Sequence, residues 1–468
     1  MSERQWRRLA ALLVLTPACS YSYPELAPLA CDHGVCSGPG GDAGSSFAQI
    51  AYLKATNTGA GDAFGHSIAL SADGSTLAVG AFHEASDGST PGNTAAAAAG
   101  AVYVYTRNGH AWSQQAYLKA KTPKAGDLFG SSVALSGNGS ILAVGAPSTD
   151  GPVTPHVGAV YLFSRVGTLW GQIEDLQPGV GDTGDSFGYS VALSGDGLRV
   201  AIGVPNEASG TSDPEDNSAP AAGQVEIFEP LGRSWGGGST ISNRVKADPV
   251  IAGDRLGSCV ALSADGLVLA ISASPAESAA TNVGKVYILA DNGSSWTVQA
   301  DASDRPAGAF GSSIALSADG STLAVGTSRK DGTGGQAAGG AYIFAQSGAD
   351  WVRQAYIEPA HLGAGDQFGS SIALAANGSI LAVGAMSQDG GAGAVHVFMH
   401  SGAAWAPAVV AKASVTGAGD AFGASVALSA DGSTLAVGAT GEDSSATGTN
   451  GDPTNDAAAD AGAVYVFD

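Results

Sequence analysis

Six aspartates stand at the same position in copies of a repeated phrase, two residues before a Phe or Leu. They are Asp62, Asp127, Asp185, Asp254, Asp366 and Asp420. Such carboxylates could form a ring of acidic ligands at the mouth of a central channel. Each could instead accept backbone N–H bonds and fix the turn into the next strand. We favour the structural interpretation.

Two long segments between copies of the phrase carry further acids, which could supply oxygen ligands to a cation such as calcium if the chain folds back on itself. The candidates are Asp213, Glu215, Asp216, Asp452 and Asp456, accompanied by Glu207, Glu442, Asp443 and Asp460. The alternative is that these segments are acidic surface loops with no metal, and we favour it. No other cofactor is expected.

Cysteines are few. Cys31 and Cys36 enclose a four-residue segment that could be closed by a disulfide in an exported chain. A metal site using Asp32 and His33 as well is the weaker reading, because two cysteines and one histidine do not complete a tetrahedral ligand set. Cys259 takes a position where the other copies have Ser, and we expect it to be a small buried residue.

Six tryptophans recur at one place in the repeat and could stack on sugars, although packing between repeats explains their regularity better. They are Trp112, Trp170, Trp235, Trp296, Trp351 and Trp405. None of the eight histidines has a recurrent or motif-like setting, and we interpret His83 and His156 as solvated loop residues. We therefore expect no catalytic residue.

The first 18 residues have the layout of a secretory signal, with Arg4, Arg7 and Arg8 ahead of a short apolar run. The residues ending at Cys19 resemble a bacterial lipobox, which predicts lipidation of that cysteine. Leu15 stands one place too early and Pro17 is unusual, so ordinary signal cleavage is the alternative. Residues 19–45 are rich in Pro, Gly and Ser and indicate a flexible tether. We predict an exported lipoprotein of the cell envelope, at the outer membrane or cell surface.

Composition limits the partners. The formal net charge is −22, with 42 acidic against 20 basic residues, so the chain has no overall basic surface for nucleic acid or anionic lipid. The chain has 69 glycines and only 13% charged residues, which is typical of many short strands and tight turns. We expect an all-β protein that meets the membrane only through its lipid anchor.

The repeated phrase first reads GDAFGHSIALSADGSTLAVGA, from Gly61, and it occurs seven times. The residue at its fourth position is Phe64, Phe129, Phe187, Leu256, Phe310, Phe368 or Phe422, at intervals of 54 to 69 residues. This period indicates a propeller or another repeat array. Every copy has Asp-Gly or Asn-Gly between its first two strands, which predicts a type I′ hairpin.

The rest of each copy supplies two more strands. The third resembles GAVYVY, and the fourth opens with an aromatic residue and ends near a polar one, such as Lys54, Lys119, Lys246, Glu358 or Lys412. We interpret these polar residues as protection of an outer edge strand. The chain starts with an isolated fourth strand at Phe47 and its last copy stops after the third. One blade is therefore split between the two ends, which predicts a closed seven-bladed β-propeller over residues 46–468.

The GDxFG…LAVGA phrase resembles the FG-GAP repeat of integrin α-subunit heads and of many bacterial surface proteins. The resemblance implies a seven-bladed propeller used for extracellular adhesion or ligand binding. Several integrin repeats carry a DxDxDG calcium loop between their first two strands. Here that hairpin has a single Asp or Asn, as at Asp73, so calcium is not expected there.

The function that these features favour is a non-enzymatic, monomeric scaffold on the cell surface, which binds an extracellular protein or glycan. The loops between second and third strands vary most in length, and binding residues concentrate on such loops. One alternative is a glycan-active hydrolase or lyase with paired carboxylates at the channel mouth. Another is a structural component of the envelope.

Overall fold

The structure is a computed structural model, and it describes residues 31–32, 35–36 and 47–468. The exceptions within the last range are residues 152–153, 212, 214–215, 275–283, 294–295, 302–308, 349 and 403. The side chains of residues 31–36 and 297–301 are also outside the description. The main body is all-β and consists of seven four-stranded antiparallel sheets, or blades. The predicted fold class is confirmed.

The strands of the first four blades follow one another along the chain. Blade 1 contains β4 (Ser67–Leu70), β5 (Thr76–Ala81), β6 (Ala101–Asn108) and β7 (Ala111–Leu118); blade 2 contains β8 (Ser132–Leu135), β9 (Ile141–Ala146), β10 (Ala159–Val166) and β11 (Leu169–Leu176); blade 3 contains β12 (Ser190–Leu193), β13 (Val200–Val204), β14 (Gln224–Pro230) and β15 (Ser239–Val245); blade 4 contains β16 (Leu256–Leu262), β17 (Val268–Ala273), β18 (Lys285–Asp291) and β19 (Trp296–Asp301).

The remaining blades repeat this order, except that the last takes its fourth strand from the start of the chain. Blade 5 contains β20 (Phe310–Leu316), β21 (Thr322–Thr327), β22 (Ala341–Ser347) and β23 (Asp350–Ile357); blade 6 contains β24 (Phe368–Leu374), β25 (Ile380–Ala385), β26 (Ala394–His400) and β27 (Trp405–Ala411); blade 7 contains β28 (Phe422–Leu428), β29 (Leu435–Ala439), β30 (Ala463–Phe467) and β3 (Gln49–Leu53).

Blade 7 closes the ring as the sequence predicts. Residues Gln49 to Leu53 pair antiparallel with β30, so that Leu53 lies opposite Val464. Two backbone bonds extend this pairing, because the N–H of Ala48 donates to the oxygen of Asp468 and the N–H of Asp468 donates to the oxygen of Ala48. The two ends of the propeller therefore belong to one sheet, and β30 is not left without an outer neighbour.

The first strands of neighbouring blades contact one another around the ring, which makes them the innermost strands. The second strands are buried on both faces, as predicted for LAVGA. Hydrophobic clusters lie between adjacent blades rather than inside single ones; one of them joins Leu53 and Val464 of blade 7 to Leu77 and Tyr103 of blade 1. Burial of apolar surface thus binds each blade to the next.

The type I′ prediction for the Asp-Gly and Asn-Gly turns is wrong. In the turn after β4 only Gly74 has a positive φ, and its N–H donates to the oxygen of Ser71 at 2.9 Å. These features define a type I turn with glycine at the last position. The Asp73 carboxylate accepts the hydroxyl of Ser71 at 2.6 Å and the N–H of Ser75 at 3.0 Å. Asp stands there because its side chain bonds to its own turn.

The antiparallel order gives the propeller two different faces. Turns between first and second strands and between third and fourth strands lie at one end, which we call the hairpin face. The connections between second and third strands, and from each fourth strand to the next blade, lie at the other end, which we call the loop face. We predicted that these last two kinds of connection share a face, and this is confirmed.

Two small elements are present besides the blade strands. Strands β1 (Cys31–Asp32) and β2 (Val35–Cys36) pair in a separate hairpin. A single turn, α1 (Gln388–Gly391), stands between β25 and β26, and Asp389 and Gly390 within it have positive φ. Among the described residues no helix has the length and apolar character needed to cross a membrane.

Candidate functional site

A ring of side-chain hydrogen bonds joins the inner strands. The hydroxyls of six serines each donate to a glycine carbonyl of the next blade, over 2.6 to 2.9 Å. The donors are Ser67, Ser132, Ser190, Ser313, Ser371 and Ser425, and the last reaches Gly65 of blade 1. In blade 4 the Sγ of Cys259 lies 3.4 Å from the oxygen of Ser312. Cys259 therefore fills a structural position.

A second ring consists of backbone bonds alone and lies nearer the hairpin face. The first turn of each blade opens with a serine or an alanine. The N–H of the residue after it donates to the carbonyl oxygen of the equivalent residue in the next blade, at 2.8 to 2.9 Å. The ring runs through Ala72, Gly137, Gly195, Ala264, Ala318, Ala376 and Ala430, then returns to Ala72. Two closed rings hold the channel walls, so the loops stand on a rigid frame.

The recurrent aspartates serve the frame. Asp62 Oδ2 accepts the N–H of Gly59 at 2.8 Å. In the same way, the carboxylate of each of four other aspartates accepts the backbone N–H of the residue three positions earlier; these are Asp127, Asp185, Asp366 and Asp420. All of these carboxylates are buried, and burial raises the pKa of Asp62 to about 7 and that of Asp185 to about 6. The structural interpretation is confirmed for these five residues. Asp254 instead has Lys285 Nζ at 3.4 Å.

The residue after FG lies at the loop-face end of each inner strand, where the channel opens. Its seven versions are His66, Ser131, Tyr189, Ser258, Ser312, Ser370 and Ala424, so none is a carboxylate. The side chain of His66 is accessible to solvent, although protein surrounds much of it. This burial, with a smaller contribution from the nearby His83, lowers the pKa of His66 to about 4. Its ring lies 4.1 Å from that of Phe82, centroid to centroid. Tyr189 is 45% exposed.

Charged pairs anchor the long loops. Lys54 Nζ lies 2.6 Å from Glu442 Oε2, and the hydroxyl of Tyr52 donates to Glu442 Oε1 at 2.6 Å. Lys54 is 0% exposed. Lys119 pairs with Glu84 at 2.8 Å in blade 1, and Lys246 pairs with Glu207 in blade 3. We predicted that these lysines protect an exposed edge, which is wrong, because each points into its blade and holds a loop.

Blade 5 has the same two residue types in the opposite order. Lys330 stands where blades 1, 3 and 7 have Glu, and Glu358 stands where they have Lys. The Lys330 ammonium lies 4.7 Å from the ring centroid of Tyr356, whose hydroxyl donates to Glu358 at 2.8 Å. In blade 6, Lys412 instead bonds Asp389 at 2.5 Å at the surface. In blade 5 the loop is held through Glu358, which accepts the N–H and the hydroxyl of Thr333.

The long loops of blades 7 and 1 meet at the segment that enters blade 1. The N–H of Lys54 donates to the oxygen of Gly448 at 2.8 Å, and the hydroxyl of Thr58 donates to that of Ala446 at 2.8 Å. On the other side, the amide of Asn57 donates to Glu84 Oε1 at 3.0 Å. We call residues 54–62, 82–100 and 440–462 the loop platform. Its side chains at the surface include Thr90, Thr94 and Thr447.

The predicted acids of the long loops do not come together. Asp213 and Asp216 belong to blade 3, and Asp452 and Asp456 belong to blade 7, while Glu215 is outside the described residues. Asp216 and Asp452 accept the N–H groups of Ser218 and Thr454 in their own turns. Within the part of the chain that the structure describes, no three His, Cys, Asp or Glu residues could hold a metal ion.

Tryptophans pack between blades where their side chains are described. Trp112 and Trp405 are buried in inter-blade clusters, and Trp170 and Trp351 are packed against others. Trp235 precedes its strand rather than opening it, and its indole donates to the oxygen of Gly197 at 2.6 Å. The packing interpretation is confirmed for these residues.

Two features of blade 3 were not among the predictions from sequence. Glu226 occupies the third-strand position where the other blades have Tyr or His, and it is fully buried with Arg244 Nε at 2.9 Å.

Residues 232–236 read GRSWG, which matches the nucleophile-elbow pattern. They form the turn between the antiparallel strands β14 and β15, not a strand-to-helix elbow, so Ser234 lacks the setting of a nucleophile.

A groove of about 710 Å³ lies on the outside of the propeller between blades 2 and 3. It is lined by Asp175, Leu176, Gln177, Phe228, Ser239, Thr240 and Ile241. Asp175 is the one carboxylate among these residues. The groove therefore offers no carboxylate pair of the kind that glycoside hydrolysis requires.

The cysteines proposed for modification fall largely outside the described structure. Cys19 and the leader lie outside the described residues. The backbones of Cys31 and Cys36 are opposite each other in the small β1–β2 ladder, while their side chains are outside the description. Lipidation of Cys19 and the Cys31–Cys36 disulfide stay predictions.

Comparison with known families agrees with this architecture. The family model of the FG-GAP repeat matches residues 47–105, 112–163, 170–222 and 351–398. No curated protein matches the chain. The fold defines a seven-bladed β-propeller with an anchored loop face. These four segments are similar to the FG-GAP repeat, and the propeller fits an integrin α-like FG-GAP propeller.

Proposed function

We propose that this protein is a non-enzymatic binding scaffold, which takes an extracellular protein or glycan on its loop platform. The observation that carries the proposal is the buried Lys54–Glu442 pair, matched by Lys119–Glu84 in blade 1. These pairs fix the bases of two long loops, while the polar tips of the same loops stay at the surface. A surface ordered before binding loses less entropy when it meets its ligand.

The residues near the channel mouth give little support to catalysis. Its seven inner-strand positions contain no carboxylate, and five of the recurrent aspartates behind them are buried and bonded to backbone N–H groups. A hydrolase or lyase would need a pair of acids facing one pocket. The enzyme hypothesis therefore has less support than the scaffold, and a purely structural role stays an outcome of the test below.

Export and lipid anchoring belong to the same proposal. Arg4, Arg7 and Arg8 before a short apolar run support export, and the lipobox-like residues up to Cys19 support an anchor at the cell envelope. Metabolic labelling with a radioactive or alkyne-bearing fatty acid tests the anchor. Label present in the native chain and absent from Cys19→Ala is the expected result, and equal label in both would contradict it.

The binding proposal is tested by screening the full chain against a glycan array and a panel of extracellular proteins. Thr90→Arg with Thr447→Arg changes the exposed tips of the platform, and Asn108→Arg on the hairpin face is the matched control. We expect a ligand whose binding falls at least tenfold with the platform variant and is unchanged in the control. Binding that survives the platform variant would reject the platform as the site, and no ligand in either panel would favour a structural role.

A further inference from the structure

The hairpin face carries protruding aliphatic side chains on three neighbouring blades. Val166 and Leu169 of blade 2 are 78% and 77% exposed, Leu231 of blade 3 is 62% exposed and Leu267 of blade 4 is 44% exposed. The blade 3 hairpin lies against blade 2, since the N–H of Gly236 donates to Glu174 Oε2 at 2.9 Å. We call these four side chains the aliphatic patch. Such large apolar residues in adjacent turns indicate an interaction surface.

The fold itself does not require these residues. In five blades the residue after the glycine of the first turn is a serine, whose hydroxyl donates to the Asp or Asn of that turn. These serines are Ser75, Ser140, Ser321, Ser379 and Ser433. Blades 3 and 4 have Leu198 and Leu267 instead, and keep only the backbone bond to the aspartate. Two adjacent blades therefore have an apolar side chain where the other five have a turn-stabilising hydroxyl.

The turns between third and fourth strands show the same departure. The pair at the tip of the blade 2 hairpin is Val166 and Leu169, whereas blade 1 has Asn108 and Ala111 there and blade 5 has Ser347 and Asp350. Turns normally favour small and polar residues. Among the described hairpin-face turns, the large exposed aliphatic side chains thus lie on blades 2, 3 and 4.

The N-terminal part of the chain enters the propeller on this same face. Phe47 precedes β3, and the bonds between Ala48 and Asp468 take the place that a hairpin between third and fourth strands has in the other blades. The 46 preceding residues, which include the apolar run Leu9 to Leu15, are therefore joined to the hairpin face. The chain therefore leads from the propeller toward its predicted anchor at the hairpin face rather than at the loop face.

We propose that the aliphatic patch rests on a phospholipid bilayer, with its four side chains inserted between lipid headgroups. The inference goes beyond the proposed ligand binding at the loop face. It replaces the expectation that the protein meets the membrane only through its lipid anchor, and it holds whether or not Cys19 is lipidated. Isolated aliphatic tips suit a deformable lipid surface, whereas a stable protein interface needs roughly 800 Å² of complementary surface on each partner. The exposed Arg233 near Leu231 can pair with a lipid phosphate.

Charge selects the lipid. The hairpin face also exposes Asp73, Asp196, Asp265, Asp319 and Asp431, which repel an anionic surface. Phosphatidylcholine and phosphatidylethanolamine have no net charge, so they avoid this repulsion while still offering a phosphate to arginine. The expected surface is therefore a bilayer of zwitterionic lipid.

Hydrogen–deuterium exchange of the full chain, with and without phosphatidylcholine–phosphatidylethanolamine vesicles, tests the proposal. We expect vesicles to slow exchange at least tenfold at residues 165–170, 230–235 and 264–268, and to leave residues 86–95 and 445–455 unchanged. Attachment through the N-terminal segment alone would not slow exchange in those turns. The readout therefore separates the patch from the anchor, and from ligand binding at the loop face.

The variant Val166→Ser, Leu169→Ser, Leu231→Ser and Leu267→Ser should abolish this protection. The control is Val352→Ser, which alters an exposed aliphatic residue on the rim of blade 5. Unchanged exchange in β5 and β9 would verify that both variants are folded. Unprotected turns with vesicles bound, or protection confined to the loop face, would overturn the proposal. So would protection that needs no vesicles and grows with protein concentration, which would indicate a second copy of the chain on the patch.

Discussion

Lys54 Nζ lies 2.6 Å from Glu442 Oε2, although 388 residues separate them along the chain. The pair joins the strand that enters the propeller first to the loop of the blade that is completed last. Burial lowers the pKa of Lys54, an effect that the Glu442 carboxylate opposes. Glu442 also accepts the hydroxyl of Tyr52, so one carboxylate holds a residue of the closing strand and the lysine just after it.

Removing one partner of this pair should loosen the closure of the ring. We expect Lys54→Met to lower the free energy of unfolding by about 3–5 kcal/mol, because it leaves a buried carboxylate without its cation. Urea unfolding measures this loss. Adding Glu442→Gln should recover much of it, since the amide oxygen can still accept the Tyr52 hydroxyl. The control Lys412→Met breaks a largely exposed pair and should cost less than about 1 kcal/mol. Equal losses at Lys54 and Lys412 would contradict the interpretation.

Blade 5 has Lys330 and Glu358 in the reverse order of Glu84 and Lys119, which motivates a test of charge reversal in the anchor of blade 1. Glu84→Lys alone places two cations together in a buried site, and we expect it to cost about 3–5 kcal/mol. In Glu84→Lys with Lys119→Glu, the hydroxyl of Tyr117 could donate to the new carboxylate as that of Tyr356 does to Glu358. A double-mutant cycle should show at least half of the stability recovered. If the two losses simply add, the charge order in blade 1 is fixed by other contacts.

Stability should increase on mild acidification because of Asp62 and Asp185. Burial raises the pKa of Asp62 to about 7 and that of Asp185 to about 6, whereas both titrate near 4 when unfolded. Between pH 4 and 7 the folded state therefore retains protons that the unfolded state has lost, so their contribution to stability is lost as the pH rises. Asp62→Asn keeps an oxygen for the N–H of Gly59, and should flatten the dependence of Tm on pH in this range. An unchanged slope would show that Asp62 does not titrate there.

Calcium should not stabilise the chain through the predicted loop acids. Asp216 and Asp452 already accept hydrogen bonds in their own turns, and the two loops belong to different blades. We expect thermal unfolding to give the same Tm, within about 1 °C, in chelator and in millimolar calcium, because only a ligand that binds the native state raises Tm. A clear rise that disappears in Asp452→Asn with Asp456→Asn would instead place a cation site in the blade 7 loop.

The sequence alone determined the number of blades, the strand order and the closing of blade 7. These features follow from local patterns, because each repeat carries its own turn residues, alternation and apolar second strand. The roles of Asp62 and its equivalents, and of the tryptophans with described side chains, were likewise predictable. A carboxylate bonded three residues back along the chain is a local interaction.

The tertiary structure decided how the charged residues are used. In the sequence, Lys54 and its equivalents resemble solvated edge residues. The glutamates that pair with them lie at distant positions, in loops of variable length. The turn type was predicted wrongly for a related reason. The dipeptide Asp-Gly suits two turn geometries, and the Ser71 hydroxyl and the Asp73 carboxylate together favour the type I form. The aliphatic patch also needed the structure, since hydropathy does not reveal that a leucine replaces a hydrogen-bonded serine at the same face. Local pattern fixes a repeat fold, whereas pairing across the ring and exposure on one face depend on the positions of all seven blades.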